Sequence, residues 1–196
     1  MAGLSFFGFS LGLVVRADLG LAPWDVFHQG VSQQLGWSLG TVIVATSFVV
    51  VVLWIPIRER PGIGTLANAV LVGIWVDISL WILPEVLSSL VLRFVVLAVG
   101  IVVNGVATGL YIGARFGSGP RDGLMTGLAA RGYSVRVVRT IIEAIVLISG
   151  FALGGSVGLG TVLFAVAIGP IAHQAIPFFT GFTAAVHKES VMPSSA

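Results

Sequence analysis

The chain is too apolar to be a soluble domain of its length. Of its 196 residues, 57% are hydrophobic and 9% are charged, whereas ordinary globular domains carry roughly 25% charged residues. So few charges cannot cover a soluble surface, which excludes a soluble enzyme, a disordered chain and a secreted scaffold. The absence of Cys excludes disulfides, thiolate metal sites and cysteine nucleophiles. The composition predicts an all-α integral membrane protein surrounded by lipid bilayer, forming one domain over residues 1–196.

Apolar segments of spanning length recur along the chain. A helix needs about 20 residues to cross a hydrocarbon core about 30 Å thick. The first segment ends at Val15 and is short for a span, and no basic stretch precedes it, so we expect no cleavable signal peptide. The five longer segments are Ser38–Ile57, Ile63–Leu83, Ser88–Gly113, Ser134–Gly154 and Leu159–Phe179. The sequence therefore predicts six transmembrane helices.

Two shorter segments, Pro23–Gly36 and Pro120–Gly132, do not fit this list. Each begins with Pro, which suits the first position of a helix because its missing N–H has no partner there. Each carries an acidic residue two positions later, Asp25 or Asp122, where a carboxylate meets the positive end of the helix dipole. Each ends at Gly, a common helix stop. We interpret both as short helices of about 13 residues, too short to span comfortably, that are either re-entrant or interfacial.

The short segments belong to an internal repeat. At an offset of 97, seven positions match; they are Gly12/Gly109, Leu13/Leu110, Ala17/Ala114, Gly20/Gly117, Pro23/Pro120, Asp25/Asp122 and Gly30/Gly127. At an offset of 96, six of the 12 residues from Gly62 to Gly73 are identical to their counterparts. We place repeat one at about residues 1–86, repeat two at about residues 88–180, and a short polar tail at residues 181–196.

Basic residues favour six crossings over eight. If the short helices do not cross, one side receives Arg58, Arg60, Arg115, Arg121, Arg131, Arg136, Arg139 and Lys188, and the other only Arg16 and Arg93. By the positive-inside rule this places both termini in the cytoplasm. If the short helices cross, the bias nearly disappears. Three crossings per repeat is an odd number, so the halves are predicted to be two inverted 3+3 repeats, a common transporter design.

Three stretches resemble a known family of bacterial integral membrane proteins, the YczE/YyaS/YitT-type family. They are RADLGLAPWDVFHQG (residues 16–30), RPGIGTLANAVLVG (residues 60–73) and GLYIGARFGSGPRDGLMTGL (residues 109–128). The resemblance covers nearly the whole chain, and its YczE-like branch fits best. It implies a multi-pass protein of the bacterial cell membrane, and it implies fold and location rather than an activity.

Polar residues in or beside the apolar segments are the candidate solute-binding groups. If the two short helices point their N-termini toward the middle of the membrane, these ends bind a polar or anionic group. The predicted substrate-binding residues are Pro23, Asp25, Asn68, Asn104, Pro120 and Asp122. The alternative for Asp25 and Asp122 is a structural one, in which each caps its own helix or pairs with Arg16 or Arg121.

Three ionisable residues inside the predicted spans are candidates for proton coupling. They are Asp77, Glu143 and His173, and charged groups at such positions are costly without a role. Asp77 and His173 occupy equivalent positions of the two repeats, and a carboxylate and an imidazole near one axis can exchange a proton. The alternatives are that Asp77 lies near the membrane interface and that Glu143 pairs with Arg139 one turn away.

Glycines at GxxxG spacing let helix backbones approach closely. Gly8 and Gly12 have this spacing in the first span, as do Gly105, Gly109 and Gly113 in the fourth. They either pack the two halves together or form a homodimer or partner face. The turns Gly62-x-Gly64-Thr65 and Gly158-x-Gly160-Thr161 are expected to be tight, with Thr near a helix start. The tryptophans, Trp24, Trp37, Trp54, Trp75 and Trp81, lie mostly toward segment ends, where interface anchoring explains them more simply than ligand stacking.

The sequence leaves two classes of function open. The first is a transporter or facilitator for a small solute, with its site between the repeats. The second is a non-transporting accessory or scaffold subunit of a membrane complex. No catalytic motif, metal-ligand spacing, cofactor signature or nucleic-acid-binding pattern is present, so we expect no enzyme, no cofactor, no metal and no nucleic-acid partner.

Overall fold

The fold was analysed in a computed structural model, which describes residues 1–85, 87–113 and 117–191, with side chains as far as residue 181. Ala114, Arg115 and the side chain of Lys188, used above for the repeat or the topology, lie outside these described residues. The described chain consists of helices joined by turns and contains no strand. The helices are α1 (Ala2–Ala17), α2 (Pro23–Leu35), α3 (Leu39–Val52), α4 (Trp54–Ile57), α5 (Ile63–Ile82), α6 (Leu90–Gly113), α7 (Pro120–Ala129), α8 (Val135–Ala152) and α9 (Leu159–Val191).

Helix boundaries follow local chemistry read from the sequence. Pro23 and Pro120 stand at the first positions of α2 and α7, as predicted. Gly36 ends α2 with a φ of 68°, a backbone conformation that glycine adopts without strain. The predicted span Leu159–Phe179 matches the apolar stretch Leu159–Gly181, and the helix α9 itself continues to Val191 with Pro170 and Pro177 inside it, so the segment expected to be a tail starts as helix.

Four helical stretches of the described chain are long and apolar enough to cross a bilayer. They are Leu39–Ile57, Ile63–Ile82, Leu90–Gly113 and Leu159–Gly181. α1 is apolar but has only 16 residues, and the 18-residue α8 carries Arg136, Arg139 and Glu143. The all-α architecture is confirmed, while six crossings in inverted repeats stay a prediction.

Glycine contacts hold the long helices together. A Cβ atom added at Gly8 would lie 2.6 Å from the Trp75 Cβ in α5, and one at Gly105 would lie 2.3 Å from the Ile171 Cγ2 in α9. Gly12 similarly faces α5, and Gly109 and Gly113 face α9. The GxxxG glycines therefore pack helices within each half, and the expectation that they pack the two halves together is wrong. Gly3 and Gly100 provide the close approach between α1 and α6, which joins the halves.

The two short helices are exchanged between the halves. α2, from the first half, packs mainly against α8 of the second, and α7 packs against α3 and α4 of the first as well as against α8 of its own half. The loops that precede α2 and α7 also contact the opposite half. Gly20 lies against Gly158 and Thr161 at the start of α9, and Gly117 lies against Gly62 and Thr65 at the start of α5.

Hydrogen bonds secure both exchanged segments. Gly160 N donates to Leu19 O at 2.6 Å, and Ser156 N donates to Gln29 Oε1 at 2.6 Å. On the opposite segment, Thr65 Oγ1 donates to Ser118 O at 2.7 Å. Thr65 and Thr161 also accept from the backbone N–H three residues earlier at 3.2 Å, as the expected tight turns require.

Replacing Gly109 with Leu should destabilise the fold. The added Cβ would lie 2.7 Å from the Ala175 Cβ and 2.8 Å from the Ala175 backbone carbon, and overpacking of this kind costs about 1–3 kcal/mol. Thermal unfolding of the detergent-purified protein measures the loss. Gly181→Leu is the matched control, because a Cβ at Gly181 meets nothing within 4 Å. Equal unfolding temperatures for the two variants would contradict the α6–α9 contact.

Candidate functional site

A cavity of about 380 Å³ lies between the two halves and draws its walls from both. All six predicted substrate-binding residues line it; they are Pro23, Asp25, Asn68, Asn104, Pro120 and Asp122. Apolar and aromatic side chains, among them Phe7 and Phe164, complete the walls. A concave, mostly apolar site with a few convergent polar groups is the usual form of a small-molecule site.

The N-terminal ends of α2 and α7 meet at this cavity. Arg121 Nη2, from the first turn of α7, lies 3.7 Å from Asp25 Oδ1 in α2, and its guanidinium lies 5.2 Å from the centre of the Trp24 ring. Ala22 and Gly119 stand at the two cap positions, and neither helix has a side-chain cap bond. The cross-helix Asp25–Arg121 pair is therefore observed, whereas capping by the two aspartates is not.

Asp122 has a different partner from Asp25. The Tyr111 hydroxyl of α6 donates to Asp122 Oδ2 at 2.6 Å. Asn104 Nδ2, also from α6, donates to Ser10 Oγ of α1 at 2.8 Å across the contact between the halves. These bonds fix polar groups of the cavity wall, which a site needs in order to orient a solute.

Three neighbouring buried side chains at the start of α2 have polar atoms without hydrogen-bond partners in the structure. They are Trp24 at Nε1, Asp25 at Oδ1 and His28 at both ring nitrogens. His28 Nδ1 lies 3.4 Å from Asp25 Oδ1. Buried polar groups without partners are rare in native structures and require an explanation. Trp24 and Asp25 both line the cavity with other atoms, while the unpartnered atoms themselves are covered by protein.

The predicted proton-coupling residues lie in three different surroundings. Glu143 lines the cavity and accepts from Arg139 Nε at 2.8 Å, so it also forms the structural ion pair that was its alternative. Asp77 accepts from Ser38 Oγ at 2.6 Å and from Gly40 N at 2.7 Å, both at the start of α3. His173 is exposed on α9 and does not line the cavity. The structure therefore brings Glu143, but not the other two, to the site.

Arg121 and two tryptophans lie elsewhere than predicted. Arg121 was counted as a loop charge on one face, but it lies in the cavity wall beside Asp25 and Trp24, which attract it. Trp24 and Trp54 were expected to anchor at the interface but are buried. Trp54 Nε1 donates to Pro120 O at 3.0 Å and so holds the start of α7. Trp37 and Trp81 are exposed, as expected for anchors.

Sequence reasoning did not place Trp24, Arg121, Tyr111 or His28 at the site, although it offered Arg121 as a structural partner of an aspartate. The signal for the first two was adjacency, since each stands next to a predicted aspartate in the first turn of a short helix. Tyr111 and His28 carry no local signal, because only the packing of α6 and α8 onto the short helices places them. Within the described residues, no group of three or more His, Asp or Glu side chains is arranged to hold a metal ion.

Comparisons with known proteins give one family and several relatives. Residues 1–177 match the family described as "Family of unknown function (DUF6198)". An uncharacterized protein of Haemophilus influenzae is 41% identical, covering 86% of this chain and 77% of the relative. The "Uncharacterized membrane protein YczE" of Bacillus subtilis is 35% identical (90% and 83% covered), and YyaS of the same organism is 28% identical (89% of each). No solved structure matches the chain.

These matches confirm the resemblance to the YczE-like family. They also agree with the four apolar helices of spanning length, since one relative is named as a membrane protein. The chain is accordingly a membrane protein, and its site is a cavity enclosed by membrane-type helices.

A cysteine placed at Ser47 should react with a small, water-soluble methanethiosulfonate reagent, because Ser47 lines the cavity. A cysteine at Ser79 is the matched control, since Ser79 is fully buried between α5 and α1 and does not line the cavity. We expect Ser47→Cys to react at least about tenfold faster, because reaction at Ser79 requires local opening of packed helices. Labelling followed by mass spectrometry measures both rates in a chain that otherwise has no cysteine. Equal rates would argue against an accessible cavity.

Proposed function

The chain belongs to the family of unknown function DUF6198, and from that premise we propose that it transports a small solute through its central cavity. In this proposal six helices (α1, α3 with α4, α5, α6, α8 and α9) cross the bacterial cell membrane as two inverted repeats, with both termini in the cytoplasm. The short helices α2 and α7 do not cross, and their N-termini meet at the solute site.

The observation that carries the proposal is that the two halves are closed to different degrees. In the first half, α3 lies directly on α5: a Cβ at Gly73 would lie 2.4 Å from Gly40 O. The Asp77 carboxylate, on α5, binds the Ser38 hydroxyl and the Gly40 N–H at the start of α3. Helix α3 therefore seals this side of the cavity.

In the second half the equivalent contact is open. A Cβ at Gly169, the counterpart of Gly73, meets nothing within 4 Å, and His173, the counterpart of Asp77, is exposed. Within the described chain α8 packs on α2 and α7, with no comparable contact to α9. Only 6% of the apolar window of α9 is buried, against 33% for α5.

The two halves share one architecture but differ in how closely their helices pack. This difference supports a protein that alternates between two states. In the second state α8 approaches α9 near Gly169, with Arg136 in the place that Gly40 has in the first half, and α3 leaves α5. Ser134, which precedes α8, is the counterpart of Ser38, so His173 meets Ser134 where Asp77 now meets Ser38. Rocking of one repeat against the other around a fixed site is a general way to give alternating access.

The alternative of an accessory or scaffold subunit has less support. It rests on the small-residue faces, but Gly8, Gly12, Gly105, Gly109 and Gly113 are covered by α5 and α9 of the same chain. It also assigns no role to a cavity with buried, unpartnered polar atoms. A homodimer or membrane partner through these glycines stays a prediction.

Disulfide trapping tests the two states. The pair Ser38→Cys and Asp77→Cys should cross-link at once, and Ser134→Cys with His173→Cys should cross-link as α8 visits α9. Ser134→Cys with Gln174→Cys is the control, because residue 174 lies about 100° further round the helix. Gel mobility of oxidised membranes measures each yield. If the His173 pair forms no more cross-link than the Gln174 pair, the second state is wrong.

Flux into proteoliposomes tests transport itself. A panel containing a small amine, a carboxylate, a zwitterion and a neutral polyol should include at least one solute that enters faster than into protein-free vesicles. The double variant Asp25→Asn and Asp122→Asn should slow that flux about tenfold or more, since a lost charged contact costs roughly that much.

The control for flux is Asp18→Asn. Asp18 pairs with Arg93 at 2.6 Å at the end of α1, outside the cavity. Flux that is equal in the double variant and the wild type would remove the site from the transport path. Entry of no panel solute, with both disulfide pairs formed, would count against transport.

A further inference from the structure

We propose that the cavity takes a small uncharged polyol, a solute that carries several hydroxyl groups and no charge. The inference rests on the proposed transporter function and names the solute class of the same site. It is carried by polar wall atoms that open onto the cavity and by the unequal lining that the two repeats provide. A volume of about 380 Å³ lies near the lower end of the usual range for ligand pockets, which favours a solute with few heavy atoms.

Uncharged polar groups on three helices of the wall have hydrogen-bonding atoms that face the cavity. Ser47 of α3 and Asn68 of α5 line the cavity, and their side chains bond to no other described residue. Asn104 of α6 donates through Nδ2 to Ser10, and its Oδ1 accepts no bond within the described chain. None of these free atoms is among the unpartnered polar atoms that the protein covers. Ser47 and Asn104 are only 6% and 2% exposed, so their open atoms face the cavity.

Hydroxyl groups match these atoms because each hydroxyl both donates and accepts. Ser47 offers a hydroxyl, Asn68 offers an amide donor and an amide acceptor, and Asn104 offers an acceptor. Arg121 lines the cavity and makes no hydrogen bond to a described residue, so it adds guanidinium donors. A polyol meets donors and acceptors in any order, whereas an ammonium group only donates and a carboxylate only accepts.

Each charged side chain that lines the cavity already faces a partner within the protein. The contacts are Arg139–Glu143 at 2.8 Å, Tyr111–Asp122 at 2.6 Å, and His28–Asp25 and Arg121–Asp25 at 3.4 Å and 3.7 Å. A charged solute has to break one of these contacts or enter a setting of low dielectric constant without a countercharge, and both are costly. A zwitterion meets this cost at each end, and a polyol avoids it.

Equivalent positions of the two repeats line the cavity, but with side chains of different polarity. At offsets of 97 and 96, four pairs of lining residues combine an apolar member with a polar one; they are Phe7/Asn104, Leu11/Thr108, Ile43/Arg139 and Phe164/Asn68. All residues of α9 that line the cavity are apolar. The wall therefore has a polar part that binds hydroxyl groups and an apolar part that packs against the C–H face of the same solute.

Three probes of nearly equal size separate the possible solute classes. Sorbitol, glucamine and gluconate share one carbon chain and differ at one end, which carries a hydroxyl, an ammonium or a carboxylate group. Isothermal titration of the full-length protein, in a detergent without a sugar headgroup, should give sorbitol at least about tenfold tighter binding than either analogue. Equal affinity for glucamine or for gluconate would overturn the inference in favour of a cation or an anion site. Failure of all three probes to bind would overturn it as well.

Variants test the assigned wall atoms. Ser47→Ala and Asn68→Leu remove side-chain polar atoms that bond to no described residue, so each should weaken sorbitol binding at least about fivefold without loss of thermal stability. Ser79→Ala is the matched control, because Ser79 is buried, donates to Val76 O and does not line the cavity. Its sorbitol affinity should equal that of the wild type. Loss of stability with unchanged affinity in the two cavity variants would show that these groups are structural.

The outcomes for this inference and for transport are distinguishable when sorbitol is the polyol of the vesicle panel. If another solute of the panel crosses and sorbitol does not bind, transport stands and the polyol site falls. If sorbitol binds as expected but no panel solute crosses, the site stands as a receptor or regulatory site and the transporter proposal falls.

Discussion

The exchange of short helices between the two halves is the constraint on which the rest of the structure depends. Leu19 and Ser118 precede α2 and α7. The carbonyl oxygen of each accepts a hydrogen bond from the first turn of a long helix in the opposite half. These bonds fix where the short helices begin. Their first turns meet where Arg121 approaches Asp25, and the cavity lies at this meeting point.

Close glycine contacts pack the helices within each half, and one such contact is missing at Gly169 on α9. At Gly8, Gly12, Gly105 and Gly109, a single added carbon would meet a neighbouring helix. Packed interfaces of this kind have discrete arrangements rather than a continuous range. Gly169 is the position where the repeated pattern calls for the same contact and the structure lacks it. Gly73 and Gly169 are identical, but the partner of Gly73 is Gly40, and the counterpart of Gly40 in the second half is Arg136.

Much of this arrangement can be predicted from the sequence, and the limits have physical causes. Helix starts at Pro23 and Pro120 could be predicted because Pro is favoured at the first position of a helix, where its missing N–H leaves no bond unmade. Asn68 and Asn104 could be predicted as cavity residues because polar side chains are costly in apolar segments, and Asp25 and Asp122 because they stand at the starts of the two short helices. The glycine partners could not, since GxxxG spacing reports small size and does not say which helix fills it.

The charged residues show the same limit. Arg121 was assigned to a membrane face because charge counting treats every Arg outside a span as solvated. Its position beside Asp25 and Trp24 depends on a helix that lies almost one hundred residues earlier in the chain. His173 was paired with Asp77 by symmetry of sequence, but the two halves are not symmetric in closure. A repeat in sequence predicts equivalent contacts only where both halves are in the same state.

The exchanged helices also set an order of assembly during synthesis. When α7 leaves the ribosome, its partners α3 and α4 are already made and inserted. When α2 leaves it, α8 and the turn before α9, which contribute Ser156 and Leu153 as its hydrogen-bonding partners, are still more than one hundred residues from being translated. A short helix that carries Asp25 and His28 is unstable in lipid without protein partners. α2 therefore reaches its final contacts only when the second half is present, and the site is completed then.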